Sequence, residues 1–230
     1  MNILAIIPAR GGSKTIPKKN MKLLNGKPLI YYSIIEAQKS KMITDLVVSS
    51  DSNKILTLSQ KYECEVIKRP KALSNDDTPM WPVAKHALKN LEKVNNRIYD
   101  YVLILQPTTP FRRYIDIDCS LKKLIREKSS SLVSVTRMLD GHPARMYKVE
   151  NKKLISLNPK LSSQNRQKLP LVFHRNGAIY ATKRNILMRN KILGKNLSYY
   201  EMKKDLSVNI DDKIDWKIAE LIVKNENIKS

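Results

Sequence analysis

The sequence predicts an α/β fold, a mostly parallel sheet with helices on both faces. Two observations carry that expectation. Short apolar runs alternate with amphipathic segments along most of the 230 residues, which is the rhythm of strands joined by crossover helices. The first run, Ile3 to Ile7, is apolar at every position and stops at Pro8, as a strand buried on both faces does. A chain of this length suits one domain with an appendage and can bury a real core.

The elements follow in order. After the first strand, Pro28–Lys39 reads as a helix, because Ile30, Ile34 and Ala37 share a face and Pro28 suits a first turn. Leu46–Ser49 reads as a strand, Ser52–Tyr62 as a helix and Cys64–Ile67 as a short strand. Pro79–Lys93 carries Val83, Ala87, Leu88 and Leu91 at helical spacing. Tyr101–Leu105 is a strand, Tyr114–Lys128 a helix and Leu132–Thr136 another strand. The alternation breaks after Arg137. Arg145–Glu150 and Lys153–Ser156, separated by Asn151-Lys152, suggest a hairpin. A polar stretch, Asn158 to Gln167, precedes expected strands at Asn176–Thr182 and Leu206–Ile210. The last helix, Asp212–Lys224, is expected to bury Ile214, Ile218, Leu221 and Ile222. The excursion from Asp140 to Pro170 is too long for a plain connection in a compact domain, so a job is expected of it.

Composition limits the function classes. No apolar stretch of about 18 residues and no signal-peptide core is present, so neither membrane insertion nor export is expected. Cys64 and Cys119 lie far apart without a C-x-x-C partner, which fits a cytoplasmic chain with free thiols. The net charge is +22, a value compatible with a polyanion partner. Most of that charge is lysine spread along the whole chain beside abundant Asn and Ile, as an AT-biased coding composition also gives. No zinc-finger, RRM or zipper pattern occurs, so nucleic acid is not an expected partner. The field would still steer anionic small molecules. The three histidines form no metal-like cluster and are read as non-catalytic.

The chemistry concentrates in the stretch ILAIIPARGGSKTIPKKN, residues 3–20. Arg10, Lys14, Lys18 and Lys19 place positive charge at the mouth of the first strand, and open parallel sheets bind ligands at that end of their strands. Gly11 and Gly12 let a ligand approach the backbone closely. The segment reads as a phosphate-holding loop. It is not a P-loop, because Ser13 precedes Lys14 where that motif needs glycine. It is not a dinucleotide loop either, because the next glycine after Gly12 is Gly26.

The loop resembles that of the acylneuraminate cytidylyltransferases, and the resemblance continues to the end of the chain. Asn25-Gly26-Lys27-Pro28-Leu29, Val48-Ser49-Ser50-Asp51, Arg69-Pro70 with Leu73-Ser74 and Asp76, and LILQPTTPFR from Leu103 to Arg112 all match family stretches. So do Arg166-Gln167 with Leu169-Pro170, Arg175-Asn176-Gly177-Ala178-Ile179-Tyr180, and Asn209-Ile210-Asp211 with Asp215. Each piece is short; their order and spacing give the match its weight.

The resemblance implies a single Rossmann-like nucleotidyltransferase domain over 1–230, with 140–170 as a small dimerisation and sugar-site excursion. The implied reaction joins CTP and a 2-keto nonulosonic acid of sialic, legionaminic or pseudaminic type, giving CMP-sugar and pyrophosphate. Arg10, Lys19 and Asp211 would be catalytic. Arg10 and Lys19 would hold the triphosphate, a planar fork beside a point charge, and backbone N–H groups of Gly11, Gly12, Ser13 and Lys14 would form an anion-binding concavity. Asn20, Arg69 and Asp76 would contact the nucleotide, with Asp76 also suited to local turn chemistry. Gln106, Arg112, Arg166 and Gln167 would contact the sugar, though Gln106 could satisfy strand-end backbone and Arg112 could simply begin the following helix. A homodimer is implied, with Arg166 and Gln167 presented across the interface. The cofactor would be Mg²⁺ on Asp211, with Asn209 a possible second ligand, since a hard cation takes oxygen ligands and keeps several waters. Asp212 is assigned to capping the last helix.

Two departures stand out. Asn209 occupies the position of the family's first aspartate, and Thr15 a position where glycine is common; threonine fits poorly if the backbone there needs positive φ. Two rival functions remain, a CMP-Kdo-type synthetase and a catalytically weakened polyanion-binding member of the fold. The Kdo enzymes usually carry Y-A-S-[ST]-R in the first loop instead of Gly11-Gly12-Ser13-Lys14.

Overall fold

A computed structural model describes residues 1–138 and 141–227. Asp140, the expected start of the excursion, lies outside the described residues.

The chain runs β1 (Ile3–Pro8), β2 (Leu23–Leu24), β3 (Lys27–Pro28), α1 (Leu29–Lys39), β4 (Asp45–Ser50), α2 (Asn53–Gln60), β5 (Glu65–Lys68), α3 (Met80–Val94), β6 (Tyr101–Ile104), α4 (Tyr114–Arg126) and β7 (Ser131–Arg137). It continues with β8 (Tyr147–Glu150), β9 (Lys153–Ser156), β10 (Phe173–Lys183), α5 (Arg184–Met188), β11 (Leu197–Glu201) and α6 (Lys213–Asn227). The main sheet has seven strands in the order β11-β7-β10-β6-β1-β4-β5. All its pairings are parallel except those of β10, which runs antiparallel to β6 and β7.

Period-two alternation explains the layering. From β1, Ile3, Ala5 and Ile7 face a core shared with α1, α4 and α6, while Leu4 and Ile6 face a second core with α3 and α5. Helices therefore cover both faces, as the sequence predicts. The β8–β9 hairpin also forms where expected, Tyr147 opposite Ser156, and stands apart from the main sheet as its own two-stranded ribbon.

Three details correct the sequence reading. The strand expected at Leu206–Ile210 is instead a 3₁₀ turn, Asp205–Ser207, followed by extended chain. Leu206 and Ile210 are buried and mimic a strand pattern, but the Ile210 N–H donates to the Thr108 carbonyl at 2.8 Å, outside any strand ladder. The edge strand is β11, whose polar Ser198 and Glu201 hid it. The last helix turns the other face inward. Trp216, Ala219 and Val223 are buried, with Ile222 packed against them, whereas Ile214 is 68% and Leu221 61% exposed and Ile218 is exposed as well. Isoleucine spacing outweighed the single tryptophan in the sequence reading, although Trp216 has the most apolar area to bury. The short helix α5 went unseen because five residues carry too little periodicity.

Candidate active site

The site lies where the parallel strands end. Beyond β1 the chain makes the Arg10–Lys18 loop, and several ties fix its course. The Gly11 N–H donates to Asp51 Oδ1 at 2.9 Å. A side chain at Gly11 would lie 2.8 Å from the Ser52 Cβ, so glycine is needed there for packing against the end of β4. This changes the expected role of Gly11, whose N–H serves Asp51 and not a ligand nest. Around Gly12, by contrast, a Cβ would meet only open space. Ile16 plugs into the core and anchors the far end of the loop. Thr15 does not have positive φ; Lys18 does, at 53°. Asn20 Nδ2 donates to the Arg10 carbonyl at 2.9 Å, holding the base of the loop closed.

A cavity of about 300 Å³ opens beside this loop. Arg10, Ser13, Lys19, Asn20, Arg69, Asp76, Gln106, Asn209 and Asp211 all line it, so most of the residues selected from sequence converge. Lys14 reaches the same place, its Nζ 2.5 Å from Asp76 Oδ2, and Arg10 pairs with the other oxygen of that carboxylate. Those two cations hold the Asp76 carboxyl below its usual range. Asp76 thus sits as an internal anion between the cations expected to meet phosphate. Leu73, Ser74, Thr78, Met80 and Val83 form the wall opposite the loop. Arg69, nearly buried, has its Nη2 3.9 Å from Asp51 Oδ1; burial lowers its pKa and Asp51 opposes that shift.

Lys19 is a second buried cation of the site. Its Nζ donates to the Ile210 carbonyl at 2.7 Å and the Asp211 carbonyl at 3.3 Å. Burial lowers its pKa, and the Asp211 carboxylate raises it again. The 209–211 segment is therefore pulled against the phosphate loop. Asp212 behaves as assigned: its Oδ1 accepts the N–H groups of Ile214 (2.7 Å) and Asp215 (3.0 Å), while Asp215 Oδ2 accepts that of Asp212 at 3.0 Å, a reciprocal cap on α6. Asp211 stays outside the cap with its carboxylate in the cavity.

The donor set suits a hard divalent cation. Asn209 Oδ1 is buried without a partner, and Asn209 Nδ2 donates to Asp211 Oδ2 at 2.6 Å. An orphaned carboxamide oxygen beside a carboxylate offers oxygen ligands of the kind a hard cation such as Mg²⁺ takes. Among the described residues no three His, Cys, Asp or Glu side chains form a ready-made metal cluster.

A second cavity, about 590 Å³, shares Gln106, Asn209 and Asp211 with the first. His174, Arg175, Asn176, Gly177, Tyr180, Ser207 and Asp215 complete its lining. It forms because β10 slips register between Arg175 and Tyr180, a bulge that re-aims side chains. Gly177 sits at φ 78°, and a Cβ there would lie 2.8 Å from Gln106 Oε1. Asn176 fixes the bulge from inside, accepting from Ser134 Oγ at 2.6 Å and donating to Ser207 Oγ at 2.9 Å. The strand expected from Asn176 begins at Phe173, and that extension, antiparallel to its neighbours, carries His174 and Arg175 to the cavity, where the sequence selection does not place them.

Arg112 departs from the expected sugar contact. It is 1% exposed and lines neither cavity. Its Nη1 donates to the carbonyls of Gln106, Thr109 and Ala178, and its Nη2 to Ser33 Oγ. Burial pulls its pKa down to about 9, against the raising effects of Glu36 and Asp116. It is a strut beneath the loop after β6. Arg166 and Gln167 line a third cavity, about 560 Å³, with Arg137, His142 and Arg145. Within one chain they are not brought to Asp211.

Comparison with known proteins agrees with this geometry. The family model described as cytidylyltransferase matches residues 4–229. The CMP-N,N'-diacetyllegionaminic acid synthase of Campylobacter jejuni is 32% identical over 228 residues, covering 98% of this chain and 97% of its own length. The pseudaminic acid cytidylyltransferase of the same species is 32% identical over 226 residues, with 97% of each chain covered. A solved CMP:2-keto-3-deoxy-manno-octonic acid synthetase complexed with CTP superposes with a TM-score of 0.75 over 98% of this chain and 100% of its own, at 18% identity, a likeness of fold alone. With a family model spanning almost its whole length and a phosphate loop, carboxylate segment and bulged strand meeting at one place, the chain belongs to the cytidylyltransferase family, in its acylneuraminate branch.

Proposed function

We propose that this chain activates a 2-keto nonulosonic acid with CTP, giving the CMP-sugar and pyrophosphate. The observation that carries this reading is the junction of the two cavities at Gln106, Asn209 and Asp211. One side offers Arg10, Lys19 and Arg69 to a nucleotide. The other offers His174 and Arg175 to an acidic sugar. A reaction between two anions needs both charge neutralisation and in-line placement.

The anomeric hydroxyl oxygen bonds to the α-phosphorus as the bond from that phosphorus to the oxygen shared with the β-phosphate breaks; pyrophosphate departs and the hydroxyl proton passes to solvent. Arg10, Lys14 and Lys19 neutralise the leaving triphosphate end; Arg10 and Lys14 must release Asp76 to do so, freeing that carboxylate for the ribose hydroxyls. Asp211 and the Asn209 carboxamide oxygen would hold Mg²⁺, which supplies electrophilic stabilisation of the phosphate charge. Relatives named for legionaminic and pseudaminic acids support a nine-carbon substrate. Dependence on CTP would fit a cytoplasmic reaction. Among the described residues no helix is long and apolar enough to cross a membrane.

Pyrophosphate release tests the reading. CTP with Mg²⁺ and a panel of sialic, legionaminic, pseudaminic and Kdo acids should show turnover with a nonulosonic acid. UTP, ATP and GTP should be poor donors. Comparable rates with UTP, turnover with Kdo alone, or no turnover with any acid would overturn it.

The same reading calls for a homodimer. Tyr147, Val149, Leu154, Ile155 and Leu157 are exposed on and beside the β8–β9 ribbon, apolar surface that a second copy would cover in a closed two-fold pair. Each ribbon would then carry Arg166 and Gln167 to the partner's sugar side, Arg166 pairing with the sugar carboxylate. Co-expressed Arg166→Ala and Asp211→Ala chains should regain turnover, because one hybrid site keeps both groups. A monomer in light scattering, or an inactive verified heterodimer, would refute the shared site.

A further inference from the structure

The two departures from the family pattern, Thr15 and Asn209, converge on one residue. Thr15 Oγ1 donates to the Asp211 carbonyl at 2.7 Å, across 196 positions of sequence. Asn209 Nδ2 donates to Asp211 Oδ2 at 2.6 Å. The Asp211 N–H donates to Asp215 Oδ2 at 2.9 Å. Backbone carbonyl, backbone N–H and carboxylate of Asp211 are thus each held by a different group. Lys19 adds its own donation to the same carbonyl at 3.3 Å.

We infer that Thr15 and Asn209 are positioning residues that fix Asp211 from opposite sides, so that a single, pre-aimed carboxylate serves the nucleotide site of this chain. The inference rests on the functional reading above. Its physical basis is local. A glycine at position 15 has no hydroxyl and leaves the outer limb of the phosphate loop untied from the 209–211 segment. An aspartate at position 209 cannot donate to Asp211 and sets two like charges side by side. With Asn209, the amide N–H orients the carboxylate, while Oδ1 is buried and takes no hydrogen bond. The Thr15 clasp also links loop and segment mechanically. Gly11 is pinned to Asp51 and Ile16 to the core, so the hydroxyl of Thr15 ties the stretch between them to Asp211.

Two measurements test the inference. In the ligand-free protein, Thr15→Val removes the hydroxyl while nearly conserving volume. Hydrogen exchange over 207–213 and 11–18 should then quicken together, and Thr15→Ser should restore the wild-type pattern. Unchanged exchange in Thr15→Val overturns the clasp whatever the nucleotide assays give. The second measurement is calorimetric binding of CTP with Mg²⁺. Thr15→Val and Asn209→Ala should each weaken binding roughly three- to tenfold, the range of one hydrogen bond, and each should be silent in an Asp211→Ala background because both act through that residue. Equal weakening in the Asp211→Ala background would show that the side chains act on the loop or ligand directly, and would overturn the inference. A wild-type chain that binds no CTP would sink the functional reading, and hydrogen exchange would still decide the clasp.

Discussion

Asp211→Ala is expected to abolish Mg²⁺-dependent turnover and leave the fold intact. The Asp211 side chain is exposed and supports no core contact, so its removal costs little stability. What is lost is the one carboxylate at the junction of the two cavities. Asn209 carries no charge and cannot replace it. Electrostatic stabilisation at a reacting phosphate is commonly the largest part of a rate enhancement, and losing one such group costs on the order of 10²–10³ or more. Asp212→Ala is the control. Its carboxylate caps α6, so about 1 kcal/mol of stability should go while turnover stays near wild type. Steady-state kinetics and thermal melts of the pair decide the assignment. Exchanged effects, with Asp212→Ala inactive and Asp211→Ala active, would move the metal position to Asp212.

Arg112→Met should unfold more readily than any other single variant considered for this site. Methionine approximates the volume but supplies no donors. Three carbonyls and a buried hydroxyl then lose the guanidinium at once, and of the carbonyls Gln106 keeps a longer bond from the Thr109 N–H at 3.3 Å. An unsatisfied buried acceptor costs about 1–3 kcal/mol, so a combined loss above about 3 kcal/mol is expected. Urea denaturation reads it directly. A loss under about 1 kcal/mol would show that water satisfies those carbonyls and that Arg112 is no strut. Because one of them belongs to Gln106, the folded fraction of the variant should also use the acidic sugar poorly.

Both expectations turn on what a linear pattern can reveal. The layers were legible in the chain, because the uninterrupted apolar run of β1 and the helical spacing of α1, α3 and α4 follow from local geometry that tertiary packing did not override. The cluster of cations after β1 was legible too, since Arg10, Lys14 and Lys19 are close neighbours in the chain. Capping by Asp212 was legible for the same reason: donor and acceptor lie within one turn.

Only the tertiary structure decided the rest. Which face of α6 is buried depends on whether Trp216 or the isoleucines meet the sheet. Arg112 could serve a ligand or the fold, and only the convergence of Gln106, Thr109, Ala178 and Ser33 around its guanidinium assigns it to the fold. Thr15 looked like a misfit for a glycine position until Asp211, far away in sequence, supplied its acceptor. Arg175 and His174 reached the second cavity through an antiparallel strand with a bulge, and register of that kind is set by neighbours on both sides. Local periodicity is a property of the chain; the partner of a polar side chain is a property of the fold that brings distant segments together.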